Sequence, residues 1–420
     1  MKTKKTPFKW VPLFLGAVFL LAISCVEEFN GEIQIESFES VLVVDALITD
    51  ETTTHEVLLT RVFQFEEDIP NPERNAMVQV VDDSGTEFPF LELEPVVYHS
   101  QNEFSAVQGR TYTLNITTSD GRSYRSDATP MPNSTPIQEL SAERVVNDLG
   151  EEGVSIKLDN TPGGAEPSYF RFEYEETYKI IAPRWDPFEM EVVHYIACDT
   201  IPYQVEIRPR QEEQRTCFAS ASSLNIIQAS TDELTENRIV NKEVRYLSRD
   251  NYIISHRYSI NVKQYSQTLD AFSYYERLQD FSSFDNLFSL VQPGLLEGNV
   301  FSETSSDEKV LGYFEVASVS TERMYFNYED LFPDEPLPPY AVDCGFMGNP
   351  QLYTAGYHCD GFRSCDGACE SPLIEGILAG LITFAQENEE DFNQPYFTWP
   401  SPCGDCTKIG SNVVPEFWIE

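Results

Sequence analysis

Nine cysteines are the residues of this chain best suited to chemistry, and their positions sort them by use. Cys25 stands apart, while Cys198, Cys217, Cys344, Cys359, Cys365, Cys369, Cys403 and Cys406 form an even set. An even set suits disulfides in an oxidising compartment. Most of the set falls beyond residue 343, among Gly345, Gly348, Pro350, Gly361 and Gly367, which predicts a loop-rich, stapled tail. Spacing does not choose the pairing in that tail. Cys198 and Cys217 read as a separate pair closing an excursion between two strands. A zinc alternative would group Cys359, Cys365 and Cys369 with Cys403-x-x-Cys406 and His358. A zinc ribbon, however, shows two short Cys-x-x-Cys knuckles, and here there is one. A redox role for Cys403-x-x-Cys406 would call for a thioredoxin-like alternation of strands and helices, which does not surround it.

Other catalytic patterns are missing from the sequence. The five histidines, His55, His99, His194, His256 and His358, form no His-Glu-x-x-His pair, and there is no Gly-x-Ser-x-Gly elbow or phosphate-binding loop. No catalytic residue is assigned. Asp and Glu number 69 against 28 Lys and Arg, a net charge of −41, so a basic groove for nucleic acid is excluded. In so acidic a chain, a pair such as Glu389-Glu390 reads as a solvated face and not as a glycosidase dyad. Calcium is the metal these oxygens would suit, but no Asp-x-Asp-x-Asp-Gly loop occurs, and no cofactor or metal site is expected. Asp199-Thr200-Ile201 resembles a short O-glycosylation sequon. The Pro-punctuated aromatic segment 183–188 reads as an exposed contact loop, with Trp185 and Phe188 as its candidate contact residues.

Residues 1–24 carry Lys2, Lys4, Lys5 and Lys9, then an apolar run from Trp10 to Ile23, with no acidic residue. The run is shorter than the ~20 residues of a membrane-spanning helix and follows its basic flank, which predicts a secretion signal. Ala22-Ile23-Ser24-Cys25 resembles a bacterial lipobox, so Cys25 is expected to become the acylated N-terminus. Val26-Glu27-Glu28-Phe29 resembles the signal that exports lipoproteins to the outer face of the outer membrane. Removing four lysines takes the net charge from −41 to −45. Such a body is repelled by anionic lipid, so the expected membrane attachment is covalent.

These residues must be positioned by sheets. Segments 41–48, 55–62, 76–81 and 112–117 alternate apolar and polar residues, Asp83-Ser84-Gly85 and Asp120-Gly121 supply turns, and Ser123-Tyr124 completes a hairpin. Segments 154–158, 169–174, 252–262, 310–316 and 324–328 read the same way. Leu269, Phe272, Tyr275 and Leu278 recur at helical spacing after Ser266 and Thr268, which predicts a helix over 269–280 with its aromatic face in a core. A second helix is expected around 374–386. The expected fold is mainly β: two β-sandwich domains, immunoglobulin-like or transthyretin-like, with a short helix and a disulfide-stapled C-terminal tail. The boundaries follow the Pro-rich stretches: signal peptide 1–24, lipidated tether 25–35, first sandwich 36–132, second β-rich domain 133–332 and Cys-rich subdomain 333–420.

Leu269-Asp270-Ala271-Phe272-Ser273-Tyr274-Tyr275, Gln292-Pro293-Gly294, Gly298-Asn299-Val300 and Val310-Leu311-Gly312-Tyr313-Phe314 together resemble the Bacteroidota lipoproteins of domain-of-unknown-function family 4249. The ending Cys403-Gly404-Asp405-Cys406, Gly410-Ser411-Asn412 and Pro415-Glu416-Phe417-Trp418 is similar as well. Phe218 departs from the pattern, since the family often has Trp after the cysteine. The resemblance implies a surface lipoprotein associated with a TonB-dependent outer-membrane receptor, and carries no catalytic residue. Gly298, Asn299 and Gly312 are expected to serve backbone geometry or close approach. The function expected is that of an accessory or ligand-capturing receptor subunit. A cell-surface hydrolase of glycan or peptide and an envelope adhesion module are the alternatives.

Overall fold

The computed structural model describes residues 41–61, 71–196, 202–283, 296, 298–353 and 370–420. The signal, Cys25, Cys198, Cys359, Cys365, Cys369, His358 and Asp199-Thr200-Ile201 lie outside them.

In β1 (Leu42–Thr49) the alternation does what the sequence requires: Leu42, Val44, Ala46 and Ile48 are buried on one face. Eight further strands follow: β2 (Glu56–Arg61), β3 (Asn71–Pro72), β4 (Met77–Asp82), β5 (Glu87–Glu94), β6 (Val97–Ser100), β7 (Thr111–Thr117), β8 (Ser123–Ser126) and β9 (Thr129–Pro130). The Asp82 carboxylate accepts from Ser84 N and Thr86 N, both at 2.9 Å, and so builds the turn between β4 and β5, with Gly85 at φ 83°. Val44, Leu59, Val80, Tyr98, Leu114 and Tyr124 meet in one core, each such side chain contributing about 1.5–3 kcal/mol. His55 is buried beside it, its Nε2 donating to Phe104 O at 2.9 Å.

The second unit has two facing sheets. One contains β10 (Ile137–Val146) and β11 (Glu152–Asn160); the other begins with β12 (Tyr169–Ile181). The hairpin β13 (Phe188–His194) and β14 (Gln204–Pro209) stands aside as its own two-stranded sheet. Next come β15 (Thr216–Ser222) and β16 (Ile227–Ser230), both on β12, then β17 (Lys242–Ser248) on β11 and β18 (Arg257–Gln267) on β12. Val154, Ile156 and Leu158 of β11 share a core with Phe170 and Phe172 of β12 and Tyr258, Ile260 and Val262 of β18. Two sheets therefore close over one apolar layer, as expected of a sandwich. Tyr252–Ile254, read as the start of a strand, is a 3₁₀ turn capped by Asn251.

One strand joins the two cores. After β19 (Val300–Ser302), β20 (Val310–Asn327) runs 18 residues without interruption. It pairs with β1 in parallel from Val310 to Ala317 and with β18 antiparallel from Ser318 to Asn327. Val310, Phe314 and Val316 enter the first core, and Phe326 enters the second. The sequence reading as two short strands fails because the stretch from Ser318 to Arg323, polar apart from Val319, is held by the ladder to β18 and not by apolar alternation.

The C-terminal segment is tied back onto the second unit. Cys217 of β15 pairs with Cys406 across 189 residues, and Cys344 pairs with Cys403 across 59. The expected Cys198–Cys217 pair is thus incorrect, and so is zinc binding by Cys403 and Cys406, since each sulfur is already bonded. The predicted helix over 374–386 is a helix only over Pro372–Leu378. Gly380 turns the chain at φ 65°, and β21 (Ile382–Glu387) then pairs with β22 (Tyr396–Pro400). Apolar spacing alone did not separate helix from strand there.

Close backbone approach fixes the join between the units. Gly312 sits at φ 91°, where a Cβ would lie 1.8 Å from Val44 O; a Cβ on Gly298 would lie 1.6 Å from Gly312 O. Gly312→Ala is therefore expected to cost at least about 2 kcal/mol in urea unfolding. An unchanged midpoint would refute the close-approach role.

Acid sensitivity is also built in. Burial lowers His55, and burial followed by the Lys179 charge lowers His256, from the ordinary 6.5. Both favour the fold while neutral, so stability is full above pH 6.5 and declines as pH falls through 6.5 toward their folded values. Desolvation opposes ionisation of Asp82, but hydrogen bonds from Ser84 and Thr86 hold its carboxyl down to about 2, so its contribution is lost only below about 3.8. Urea midpoints measured from pH 8 to 3 should show a first drop beginning near 6.5; a flat profile down to pH 5 would contradict it.

Candidate functional site

The helix Leu269–Ser283 begins where β18 ends. Thr268 Oγ1 accepts from Ala271 N at 3.2 Å, the N-cap expected from sequence. Its apolar side, Ala271, Tyr274, Tyr275 and Leu278, packs on Tyr313, with the Tyr274 and Tyr313 rings stacked at 4.8 Å. Of the face expected to be core, Tyr275 and Leu278 join this cluster, but Leu269 is 53% exposed and Phe272 meets Tyr169 instead; the helix turns Ala271 and Tyr274 inward in their place. An adjoining side carries Asp270, Ser273 and Arg277, at i, i+3 and i+7.

That polar side lines a cleft of about 260 Å³ whose other wall is Asp127, Ala128, Thr129 and Pro130, with Gly298, Asn299 and Tyr313 completing the lining. Asn299 is structural: its Nδ2 donates to Phe314 O and its Oδ1 accepts from Phe314 N, both at 2.8 Å. The side chain thus supplies both halves of a strand pairing. Arg277 Nε donates to Ser273 O at 3.1 Å, which turns the guanidinium back along the helix. Burial, then the Asp270 charge, pushes the Tyr313 hydroxyl up to about 12, so it stays protonated.

Behind the helix lies a buried charge network. Arg171 of β12 donates from Nη2 to Glu315 Oε2 at 3.0 Å and from Nη1 to Glu173. Gln267 Nε2 donates to Glu315 Oε1 at 2.7 Å, and the guanidinium lies 4.5 Å from the Tyr265 ring centre and 4.7 Å from that of Tyr275. Glu315 has no exposed surface. Burial opposes the Arg171 charge, but Glu315, Tyr275 and Glu173 hold it above its ordinary value. Asp45 is exposed on the same face; partial desolvation of its carboxyl pushes it up, Arg171 opposes that shift and Glu315 adds to it. The network joins β12, β18 and β20 beneath the helix.

The other sequence candidates fall elsewhere. Trp185 is half-buried, its ring packed against the second core and 5.8 Å from the Arg215 guanidinium. Phe188, at the start of β13, is 43% exposed as expected. Cys217 and Cys406 are fully buried, whereas Cys344 borders an open groove with Arg184 and Tyr340. Phe218 meets Trp418 edge-on at 4.9 Å and exchanges backbone hydrogen bonds with Ser411, both at 2.8 Å. Asp127, Thr129 and Arg277 were missed by sequence reasoning. The available signal was the polar i, i+3, i+7 stripe beside the aromatic face. Arg171 and Glu315, 144 residues apart, gave none. Among the described residues no three His, Cys, Asp or Glu side chains gather to hold a metal ion.

Fold and site define a mainly β, disulfide-tied protein with a small polar cleft where its two cores join. The chain belongs to the family described as Domain of unknown function (DUF4249), whose model matches residues 26–323. No curated protein matches it. Among solved structures it is similar to a DUF4785 family protein from Legionella pneumophila, at 9% identity and a TM-score of 0.18, over 53% of this chain. It spans 51% of that chain, about half its length.

The buried network gives a direct test. Glu315→Ala leaves the Arg171 charge buried with weaker compensation and is expected to cost about 3–5 kcal/mol. Arg171→Met combined with Glu315→Leu should recover part of that loss in denaturant titrations. Equal stability of Glu315→Ala and the native chain would show that the pair does not hold the join.

Proposed function

We propose that this protein is a lipid-anchored accessory subunit on the outer face of an outer membrane, capturing ligand for a TonB-dependent receptor. The family match carries the reading, because it opens at residue 26, next to Cys25. The match begins where cleavage before Cys25 would start the mature chain, and runs to residue 323. The receptor association is proposed on the sequence resemblance.

The physical terms agree with this assignment. β1 begins at Leu42, so the chain from Cys25 can reach at most about 60 Å. A lipid at Cys25 supplies attachment that a net charge of −45 opposes, since acyl chains contribute about 0.8 kcal/mol per buried CH₂. Confinement to a surface raises the effective concentration of the body at its receptor without any new contact.

Cys25→Ser is expected to abolish incorporation of labelled fatty acid and to move the protein from the membrane to the soluble fraction; continued membrane retention would overturn the anchor. Affinity purification of the native chain from solubilised outer membranes should recover a β-barrel receptor in stoichiometric amount. A lone monomer with hydrolytic turnover would favour a surface hydrolase instead.

A further inference from the structure

The two disulfides differ in what surrounds them. Cys217 and Cys406 are fully buried, so their bond is sealed inside the second unit. Cys403 is buried as well, in the short helix Ser401–Gly404. Its partner Cys344 is half-buried and lines an open groove of about 630 Å³ with Pro183, Arg184, Pro339 and Tyr340. Exchange requires a thiolate to reach one sulfur of the bond, so access decides which disulfide reacts first. Of the four bonded cysteines described, Cys344 alone offers it.

What the exposed bond holds is a loop. On one side Glu335 is fixed by ion pairs to Arg144 and Arg249, at 2.8 and 2.9 Å; on the other, Gly348 exchanges backbone hydrogen bonds with Thr398, at 2.7 and 2.9 Å. Residues 337–347 between these points form no strand or helix. Apart from the disulfide, the hydrogen bonds tying them to the described body are Tyr340 Oη to Pro402 O at 2.9 Å and Arg184 Nε to Cys344 O at 3.3 Å. Leu337, Phe346 and Met347 are exposed on this loop, so one covalent bond fixes the arrangement of an apolar surface. The core beyond it, Met190, Leu373 and Phe384, is closed by its own packing, and Cys217–Cys406 keeps the chain on β15. Breaking Cys344–Cys403 therefore frees a loop and not a domain.

We propose that Cys344–Cys403 is a reducible latch: oxidised, it holds 337–347 as one wall of the groove; reduced, it releases that loop while Cys217–Cys406 keeps the fold. The reactant this needs is a dithiol. One thiolate attacks the Cys344 sulfur, forming a mixed disulfide and expelling Cys403 as a thiolate, which takes up a proton; the second thiolate closes on the first and frees Cys344. The reductant leaves as a disulfide, having passed two electrons and two protons to the pair. The latch stands apart from the capture role above and needs neither anchor nor receptor.

Limited treatment of the native chain with dithiothreitol, without denaturant, followed by alkylation and peptide mapping, is expected to label Cys344 and Cys403 at least about tenfold faster than Cys217 and Cys406. Amide hydrogen exchange over 337–347 should rise in the reduced form, with β15 and β21 unchanged. Cys344→Ser combined with Cys403→Ser should reproduce that rise with no reductant present. Equal or earlier labelling of Cys217 and Cys406, or unchanged exchange over 337–347 after reduction, would overturn the latch. Loss of the far-ultraviolet circular dichroism with the first bond would overturn it too, since the bond would then hold the fold. The labelling and exchange measurements use the native chain, so they remain decisive if the variant misfolds.

Discussion

The strand Val310–Asn327 is the member on which both cores depend, and its constraint is hydrogen bonding. A buried strand must satisfy both edges. Its second half has β18 on one edge, and its first half has β1 on the other. Near Phe314 the edge away from β1 is met by the Asn299 side chain, whose amide offers a donor and an acceptor in the geometry of a peptide. For Asn299 to come so near, Gly298 must pass against Gly312 O, and Gly312 in turn against Val44 O. Two glycines and one asparagine therefore do together what a further strand would otherwise do.

The opposite face of the same strand explains the charge network. Phe314 and Val316 point into the first core, so Tyr313 and Glu315 must point outward. Glu315 is fully buried there because the helix Leu269–Ser283 covers it. A carboxylate so placed requires Arg171 and Gln267, and the Arg171 guanidinium in turn requires Glu173 and the rings of Tyr265 and Tyr275. The helix is positioned by what it seals, and its outward side becomes one wall of the cleft. Site and join are one arrangement.

Legibility followed the range of the interaction. The strands β1, β2, β4 and β7, the Asp-Gly hairpin and the Thr268 cap were readable because each is decided within a few residues. Gly298 and Gly312 were readable as sites of close approach, though the atoms approached were not. The Cys217–Cys406 pair and the Arg171–Glu315 pair were not, since their partners are 189 and 144 residues distant and nothing local favours either. The partial burial of Trp185 was not readable for a different reason. Flanking prolines describe the backbone as a loop, but the ring at such a position can still turn inward, and here it lies on the second core.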